Sequence, residues 1–203
     1  MKQTKPAQAM ELRSLSPVLC GPPRGSRKRT CKGRRDQPQA HQRLLNALHA
    51  ARSQPSNPVA RSELGDAQFE AGRLDEACVT WRIAAQLMGG RNTLGVACVR
   101  ENIAEARERQ GRFGEARRQL WWAVRAWRRG RSEARHRLVR DDTRYREAKC
   151  LAKLGAFADA RQLLVRLRQG ENGRIYSGAI RRLENTYPNL RGRRGARGRT
   201  TRS

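Results

Sequence analysis

The stretch that decides the fold reads Gly72-Arg73-Leu74-Asp75-Glu76-Ala77, and the chain writes the same pattern twice more. Glycine, any residue, an apolar residue, two further residues and alanine recur at 111–116 and at 155–160. Each copy lies between two stretches of helical periodicity. The glycine therefore predicts the left-handed end of one helix, and the alanine predicts a close contact at the start of the next. Together the three copies predict a series of helical hairpins packed side by side.

Apolar periodicity and helix-breaking residues place the helices around these turns. The predicted helices span 40–52, 59–71, 74–88, 93–110, 113–129, 132–154, 157–169 and 174–187. Thr93 and Ser132 are the expected N-caps of the fourth and sixth helices. Leu87 is expected on the packing face of the third helix, and Ile175 on the face with which the last helix covers the open end of the stack.

The repeats resemble those of the tetratricopeptide repeat (TPR) family. The first copy follows the spacing of that family at Leu64, Gly65, Gly72, Leu74, Ala77, Trp81 and Ala84. The second follows it at Ile103, Ala104, Gly111, Phe113, Ala116, Leu120 and Ala123, and the third at Gly155, Phe157, Ala160 and Leu164. Glu147 stands where an apolar residue is usual, and the repeats are longer than the family's. The whole is similar to the repeat region of actinobacterial TPR proteins and regulators.

The resemblance implies an all-α fold, a right-handed solenoid of about three TPR-like hairpins with a C-terminal capping helix. We expect a disordered basic arm over 1–39, a short helix and linker over 40–57 and the repeat domain over 58–170. The capping helix should cover 171–190, and a disordered tail rich in arginine and glycine should follow over 191–203.

The charge of the chain is strongly positive. The 45 Lys and Arg residues against 18 Asp and Glu residues give a formal net charge of +27, a field that attracts polyanions. A GC-rich coding sequence would also produce an excess of arginine without selection for nucleic acid. The excess charge is concentrated at the two ends of the sequence, while the repeats carry both signs. The repeats and the net charge therefore predict two different kinds of partner.

TPR domains bind peptides in a groove lined by the first helix of each hairpin, and the resemblance implies such a groove here. Its residues would be Asp66, Phe69, Glu70, Glu101, Asn102, Glu105, Arg109, Tyr145, Arg146, Lys149 and Lys153. The groove would be acidic at one end and basic at the other. Asn102 is the best candidate for a contact with a peptide backbone. The alternative is that these side chains only form solvated helix faces.

Three tryptophans stand among arginines over 117–131, a combination that single-stranded nucleic acid can use through stacking and phosphate contacts. Helical spacing predicts that Trp127 is buried, that Trp121 lies beside the buried face and that Trp122 is exposed. The alternative nucleic-acid site comprises Arg118, Trp122, Arg125, Arg129, Arg193, Arg194 and Arg197. Arginines that pack over indoles within one helix would need no ligand at all.

Neither catalysis, a cofactor nor a metal site is predicted. The five cysteines are scattered without a C-x-x-C pair, no P-loop pattern occurs, and Asp141 with Asp142 fits the first turn of a helix. No signal peptide or membrane span is recognisable, so we expect a cytoplasmic protein. The preferred function is a non-enzymatic scaffold or adaptor for a protein or peptide, and a regulatory system is its expected setting. A nucleic-acid-binding protein of low sequence specificity is the alternative.

Overall fold

The computed structural model describes residues 37–191, and every regular element in that range is helical. The α-helices are α1 (Gln37–Ser53), α2 (Pro58–Glu70), α3 (Leu74–Met88), α4 (Thr93–Arg109), α5 (Phe113–Glu133), α6 (Arg137–Lys153), α7 (Phe157–Gln169) and α8 (Gly173–Thr186). Short 3₁₀ turns follow α3 and α8. The all-α class is therefore confirmed for this part of the chain. The predicted arm before residue 37 and the predicted tail after Arg191 lie outside the described residues.

The first helix begins earlier than predicted. A disordered arm is predicted over 1–39, but α1 begins at Gln37 and includes Pro38. A proline is tolerated in the first turn of a helix because the N–H that it lacks would have no partner within the helix. The end of the predicted arm is therefore helical.

The three repeated glycines turn the chain in the same way, as predicted. Their φ angles are +80° at Gly72, +72° at Gly111 and +81° at Gly155. In each copy the residue after the glycine donates its N–H to the carbonyl five residues back, at 2.9 Å. This bond belongs to the Schellman C-cap, which needs a left-handed residue that glycine adopts without strain. The alanine of each copy is buried at the start of the following helix.

Each helix packs against the next one along the chain, from α1 to α8. Three groups of buried side chains fill the space between them. Leu44 belongs to the group that joins α1 and α2, and Trp81 to the group between α3 and α4. The largest group runs from α4 to Leu190, in the 3₁₀ turn after α8, and contains Trp127 and Leu164. Since burying one such side chain stabilises a fold by about 1.5–3 kcal/mol, the hydrophobic core extends along the whole series of helices.

The boundary between α5 and α6 differs from the prediction. Ser132, the expected N-cap of α6, lies in the last turn of α5, where its hydroxyl donates to a main-chain carbonyl at 2.7 Å. The helix continues through Gly130, which is buried against α4, and a Cβ there would approach Cδ2 of Leu94 to 2.3 Å. Since α6 starts only at Arg137, Asp141 lies beyond its first turn.

The N-cap of α4 also differs from the prediction by one residue. Oδ1 of Asn92 accepts from the N–H of Gly95 at 2.9 Å, so Asn92 is the cap. Thr93 is the first residue of α4, and its hydroxyl donates to Oε2 of Glu133 at 2.8 Å. Thr93 therefore links α4 to the last turn of α5.

Two residues expected on packing faces are exposed. Leu87 is 41% exposed and Ile175 is 70% exposed. In α8 the covered side is the one that carries Ile180 and Leu183. Across residues 37–191, none of the helices combines the length and apolar character needed to cross a bilayer.

Candidate functional site

The first candidate surface is formed by α2, α4 and α6, whose side chains bond directly to one another. Oδ1 of Asp66 in α2 accepts from Nε1 of Trp81 in α3 at 3.0 Å and from Nδ2 of Asn102 in α4 at 3.2 Å. Burial raises the pKa of Asp66 to about 6, although the bond from Trp81 acts in the opposite direction. One half-buried carboxylate thus joins three helices.

A second set of bonds joins α4 to α6. The buried carboxylate of Glu101 accepts a hydrogen bond from Nζ of Lys149, and Nη1 of Arg146 lies 4.0 Å from its Oε2. Burial by itself would lower the pKa of Lys149, but the attraction of Glu101 outweighs it and raises the pKa. In the next turn, Nζ of Lys153 donates to Oε2 of Glu108 at 2.8 Å. The lysines of α6 are therefore neutralised by carboxylates of α4.

An aromatic contact joins α2 to the end of α4. The guanidinium carbon of Arg109 lies 4.0 Å from the centre of the Phe69 ring, a cation–π distance. Nη2 of the same arginine donates to Oε1 of Glu105 at 3.0 Å. Glu70 accepts from Nη1 of Arg43 in α1 at 2.7 Å. Carboxylates on this part of the surface are therefore paired as well.

The predicted groove residues are brought together, but they differ in accessibility. The accessible or half-buried members are Asp66, Phe69, Glu70, Asn102, Glu105, Arg109, Arg146, Lys149 and Lys153. Glu101 and Tyr145 are buried and offer a ligand little surface. The Tyr145 hydroxyl donates to the carbonyl of Ala179 at 3.4 Å, and burial raises its pKa. The expected acidic and basic ends do not present separate free charges, because the acids of α4 pair with the cations of α6.

Asn102 retains a hydrogen-bonding group for a ligand. Its Nδ2 donates to Asp66, while Oδ1 accepts from no group within residues 37–191. The bond to Asp66 holds the amide in one orientation, and the remaining oxygen is an acceptor that suits a peptide N–H. Asn102 therefore combines partial exposure with a fixed geometry.

The second candidate surface is the Arg–Trp face, the exposed side of α5. It comprises Arg117, Arg118, Trp121, Trp122, Arg125, Arg128 and Arg129. Trp121 and Trp122 are each 49% exposed, and their ring centres lie 5.0 Å apart at an interplanar angle of 79°. The guanidinium carbon of Arg125 lies 4.8 Å from the first ring centre and 5.5 Å from the second. The predicted contacts of arginine with indoles inside one helix are confirmed.

The predicted placement of the tryptophans is confirmed in two of three cases. Trp127 is buried and Trp122 is exposed. Trp121, expected beside the buried face, is exposed to the same degree as Trp122. The face therefore presents two indoles to solvent rather than one.

The arginines of this face fall into two groups. Arg117, Arg118 and Arg125 form no ion pair with any acidic side chain of the described range. Nε of Arg129 contacts Oε1 of Glu133 at 2.8 Å, so its charge is partly neutralised. Within the predicted nucleic-acid set, Arg118, Trp122 and Arg125 therefore remain the strongest members. The remaining predicted members, Arg193, Arg194 and Arg197, lie outside the described residues.

Glu147 has a structural role that its sequence position did not indicate. It was noted only as a departure from an apolar position, but its buried carboxylate accepts from Nε of Arg128 and from Nη1 of Arg131, each at 2.8 Å. The signal was present, because two arginines at i and i+3 of the preceding helix can reach one carboxylate. The spacing alone did not indicate with which acidic side chain Arg128 and Arg131 would form ion pairs.

A metal-site search of the described residues and comparisons with known proteins point to no further functional site. Within residues 37–191, no group of three or more His, Cys, Asp and Glu side chains is arranged to hold a metal ion. No protein-family model matches the chain, and a search of curated proteins finds no significant match.

Proposed function

We propose that the chain is a non-enzymatic interaction scaffold, a TPR-like right-handed solenoid that binds a protein or peptide on the face formed by α2, α4 and α6. In this proposal α8 caps the series of hairpins. The single observation that supports it best is the set of direct bonds between alternate helices, Asp66 with Asn102 and Glu101 with Lys149. A peptide groove needs the first helices of successive hairpins to lie side by side. These bonds join three such helices, α2, α4 and α6. A cytoplasmic location and a regulatory role stay predictions.

The side chains that α2 and α4 contribute to this face follow helical spacing, so each helix contributes one row. Asp66 and Phe69 are three residues apart in α2, and Asn102, Glu105 and Arg109 continue at helical spacing in α4. Because the charges of the face are largely paired with one another, a polyanion gains little there. We expect the ligand to be a polypeptide segment of mixed charge that uses main-chain hydrogen bonds and the Phe69 ring.

The proposal is tested by selecting ligands from a random-peptide library on the full chain and measuring their dissociation constants by fluorescence anisotropy. Asn102→Ala should weaken a selected peptide about five- to tenfold, which corresponds to about 1 kcal/mol for one hydrogen bond. Phe69→Leu should also weaken it. Thermal unfolding of both variants separates lost contacts from lost folding.

The matched control is Trp122→Ala, which removes a large exposed side chain from α5 and should leave peptide affinity unchanged. If no peptide is enriched, or if the enriched peptides bind the Asn102 and Phe69 variants as well as the unmodified chain, the face is not a peptide groove.

A second function is favoured by one specific observation on the Arg–Trp face. Two adjacent half-exposed indoles lie beside arginines that the described acidic side chains leave without an ion pair. Exposed rings stack with nucleobases, and unpaired guanidinium groups contact phosphates. We therefore propose binding of single-stranded nucleic acid with low sequence specificity as the alternative function, on a surface separate from the peptide face.

A further inference from the structure

A cleft of about 370 Å³ lies where α6 begins and α7 gives way to α8. It is lined by Arg137, Arg140, Asp141, Arg144, Gln169, Gly170, Glu171 and Asn172. Clefts that hold small ligands measure about 300–1,000 Å³, so the volume suits a small molecule. Three arginines against two carboxylates leave the lining with an excess of positive charge.

The walls of the cleft are fixed by bonds through Asp141. Oδ1 of this buried carboxylate accepts from Nη1 of Arg144 at 2.7 Å, and Oδ2 accepts from Nδ2 of Asn172 at 2.9 Å. The bond from Asn172 fastens the turn between α7 and α8 to α6, and the bond from Arg144 holds the carboxylate in place within α6. Because both oxygens of Asp141 are engaged, its negative charge is largely compensated inside the lining.

Arg140 is the guanidinium of the cleft that lacks an acidic partner. No carboxylate among residues 37–191 forms an ion pair with it, and its buried Nε has no hydrogen-bond acceptor. Its other contact is weak, a 3.5 Å approach of Nη2 to the carbonyl of Arg135. Buried donors are almost always satisfied in folded proteins, so this guanidinium keeps donor capacity that the described side chains do not fill.

Two helix N-termini add to the positive potential. Arg137 is the first residue of α6, and Asn172 is the N-cap of α8, yet neither helix has a side chain that caps its first turn. The side chain of Asn172 bonds to Asp141 instead. Uncapped N–H groups and the helix dipole both favour an anion near these ends.

We propose that this cleft is a binding site for a small phosphate-bearing anion. The phosphate oxygens accept from the guanidinium groups of Arg140 and Arg137, and Asp141, held by Arg144, keeps Asn172 in the lining. Glu171 forms an ion pair with Arg137, but both side chains of that pair are exposed, so a doubly charged phosphate displaces the carboxylate readily. This site is separate from the peptide face and from the Arg–Trp face.

The test is isothermal titration of the full chain with inorganic phosphate and with ribose 5-phosphate at constant ionic strength. Saturable binding is expected, and Arg140→Gln should weaken it at least tenfold. The control is Arg166→Gln, which removes the same charge from an exposed position of α7 and should change nothing. Tighter binding of the ester than of phosphate identifies an organic phosphate as the occupant, and equal affinity identifies the phosphate ion.

A variant that gains affinity excludes misfolding as the explanation. Glu171→Gln frees Arg137 from its carboxylate and removes a repulsive charge, so it should tighten phosphate binding severalfold. Binding that does not saturate, or that falls equally in the Arg140 and Arg166 variants, would show only the general attraction of a basic protein for anions and would overturn the proposal.

Discussion

The indole Nε1 of Trp81 donates to the carboxylate of Asp66 at 3.0 Å, and this bond lies at the point where α2, α3 and α4 meet. Trp81 is almost completely buried, whereas Asp66 is half-buried at the edge of the proposed peptide face. The carboxylate of Asp66 therefore links the buried Trp81 side chain to the proposed peptide face.

The raised pKa of Asp66 makes stability depend on pH. Burial raises the pKa to about 6 in the folded protein, above the value of 3.8 for the free side chain. The folded state holds this proton more tightly, so stability falls as pH rises from about 4 to 6. Asp66→Asn should match the unmodified chain near pH 4 and exceed its stability by up to about 3 kcal/mol near pH 7.5.

Urea unfolding of both proteins across this pH range measures the difference. Asp159→Asn changes an exposed acid of α7 and serves as the control, with no comparable effect. A constant difference between the Asp66 variant and the unmodified chain at all pH values would contradict the assignment.

Gly65 is expected to tolerate no side chain. A Cβ at this position would come within 2.4 Å of Cδ1 of the buried Trp81. Gly65→Ala should cost about 1–3 kcal/mol, as overpacking does elsewhere. Gly114→Ala is the matched control, because a Cβ there meets nothing within 4 Å and alanine favours a helix by about 1 kcal/mol. Denaturant midpoints of the two variants should move in opposite directions, and a shared direction would rule out the contact.

The buried carboxylate of Glu147 is expected to depend on its two arginines. Replacing Arg128 and Arg131 together by methionine leaves a buried charge without a partner, which should cost about 3–5 kcal/mol. Adding Glu147→Leu to that background should restore most of the loss, since an apolar residue is tolerated at a buried position. Thermal unfolding of the single, double and triple variants measures the coupling. If Glu147→Leu brings no recovery, the ion pairs do not hold α5 and α6 together.

Single-stranded nucleic acid is expected to bind through the Arg–Trp face. Trp122→Ala should weaken binding of labelled oligonucleotide RNA or DNA by about 1–3 kcal/mol, the value of one stacked base. Replacing Arg118 and Arg125 by glutamine should make affinity less steeply dependent on salt, since each phosphate contact contributes a slope of about 0.7 for single strands.

The controls are Ile175→Ala, an exposed apolar residue of α8, and Arg166→Gln. Both should leave binding close to that of the unmodified chain. Equal losses in the controls and in the Arg–Trp variants would mean that net charge, rather than this face, binds nucleic acid.

Local features were the ones that the sequence could predict. Gly72, Gly111 and Gly155 were correctly assigned as left-handed helix ends, because a positive φ next to a helical pattern is a property of a few neighbouring residues. Gly130 carries no such local signal, and its place inside α5 depends on Leu94 of another helix. Thr93 and Ser132 look like caps by residue type, yet Thr93 bonds to Glu133 and Ser132 continues a helix.

The candidate sites were predictable in position but not in chemistry. Side-chain bonds join Asp66 to Asn102 and Lys149 to Glu101 across α2, α4 and α6. The TPR resemblance implies the same grouping on one face. It could not tell that Glu101 would be buried beneath Lys149, because burial depends on the distance between two helices. The cleft around Arg140 was missed altogether, as its lining joins residues about thirty positions apart.

By itself, the sequence determined the helical class, the three hairpin turns and the burial of Trp127, because each follows from φ preferences or apolar periodicity within one segment. Only the tertiary structure decided, within residues 37–191, which charges are paired and which arginines have no carboxylate of that range beside them. Pairing depends on side chains from different helices approaching within a few ångströms, and that approach is set by the packing of the whole series. The net charge of the chain therefore says little about any one surface, whereas the placement of Arg118, Arg125 and Arg140 is what our two anion-binding proposals rest on.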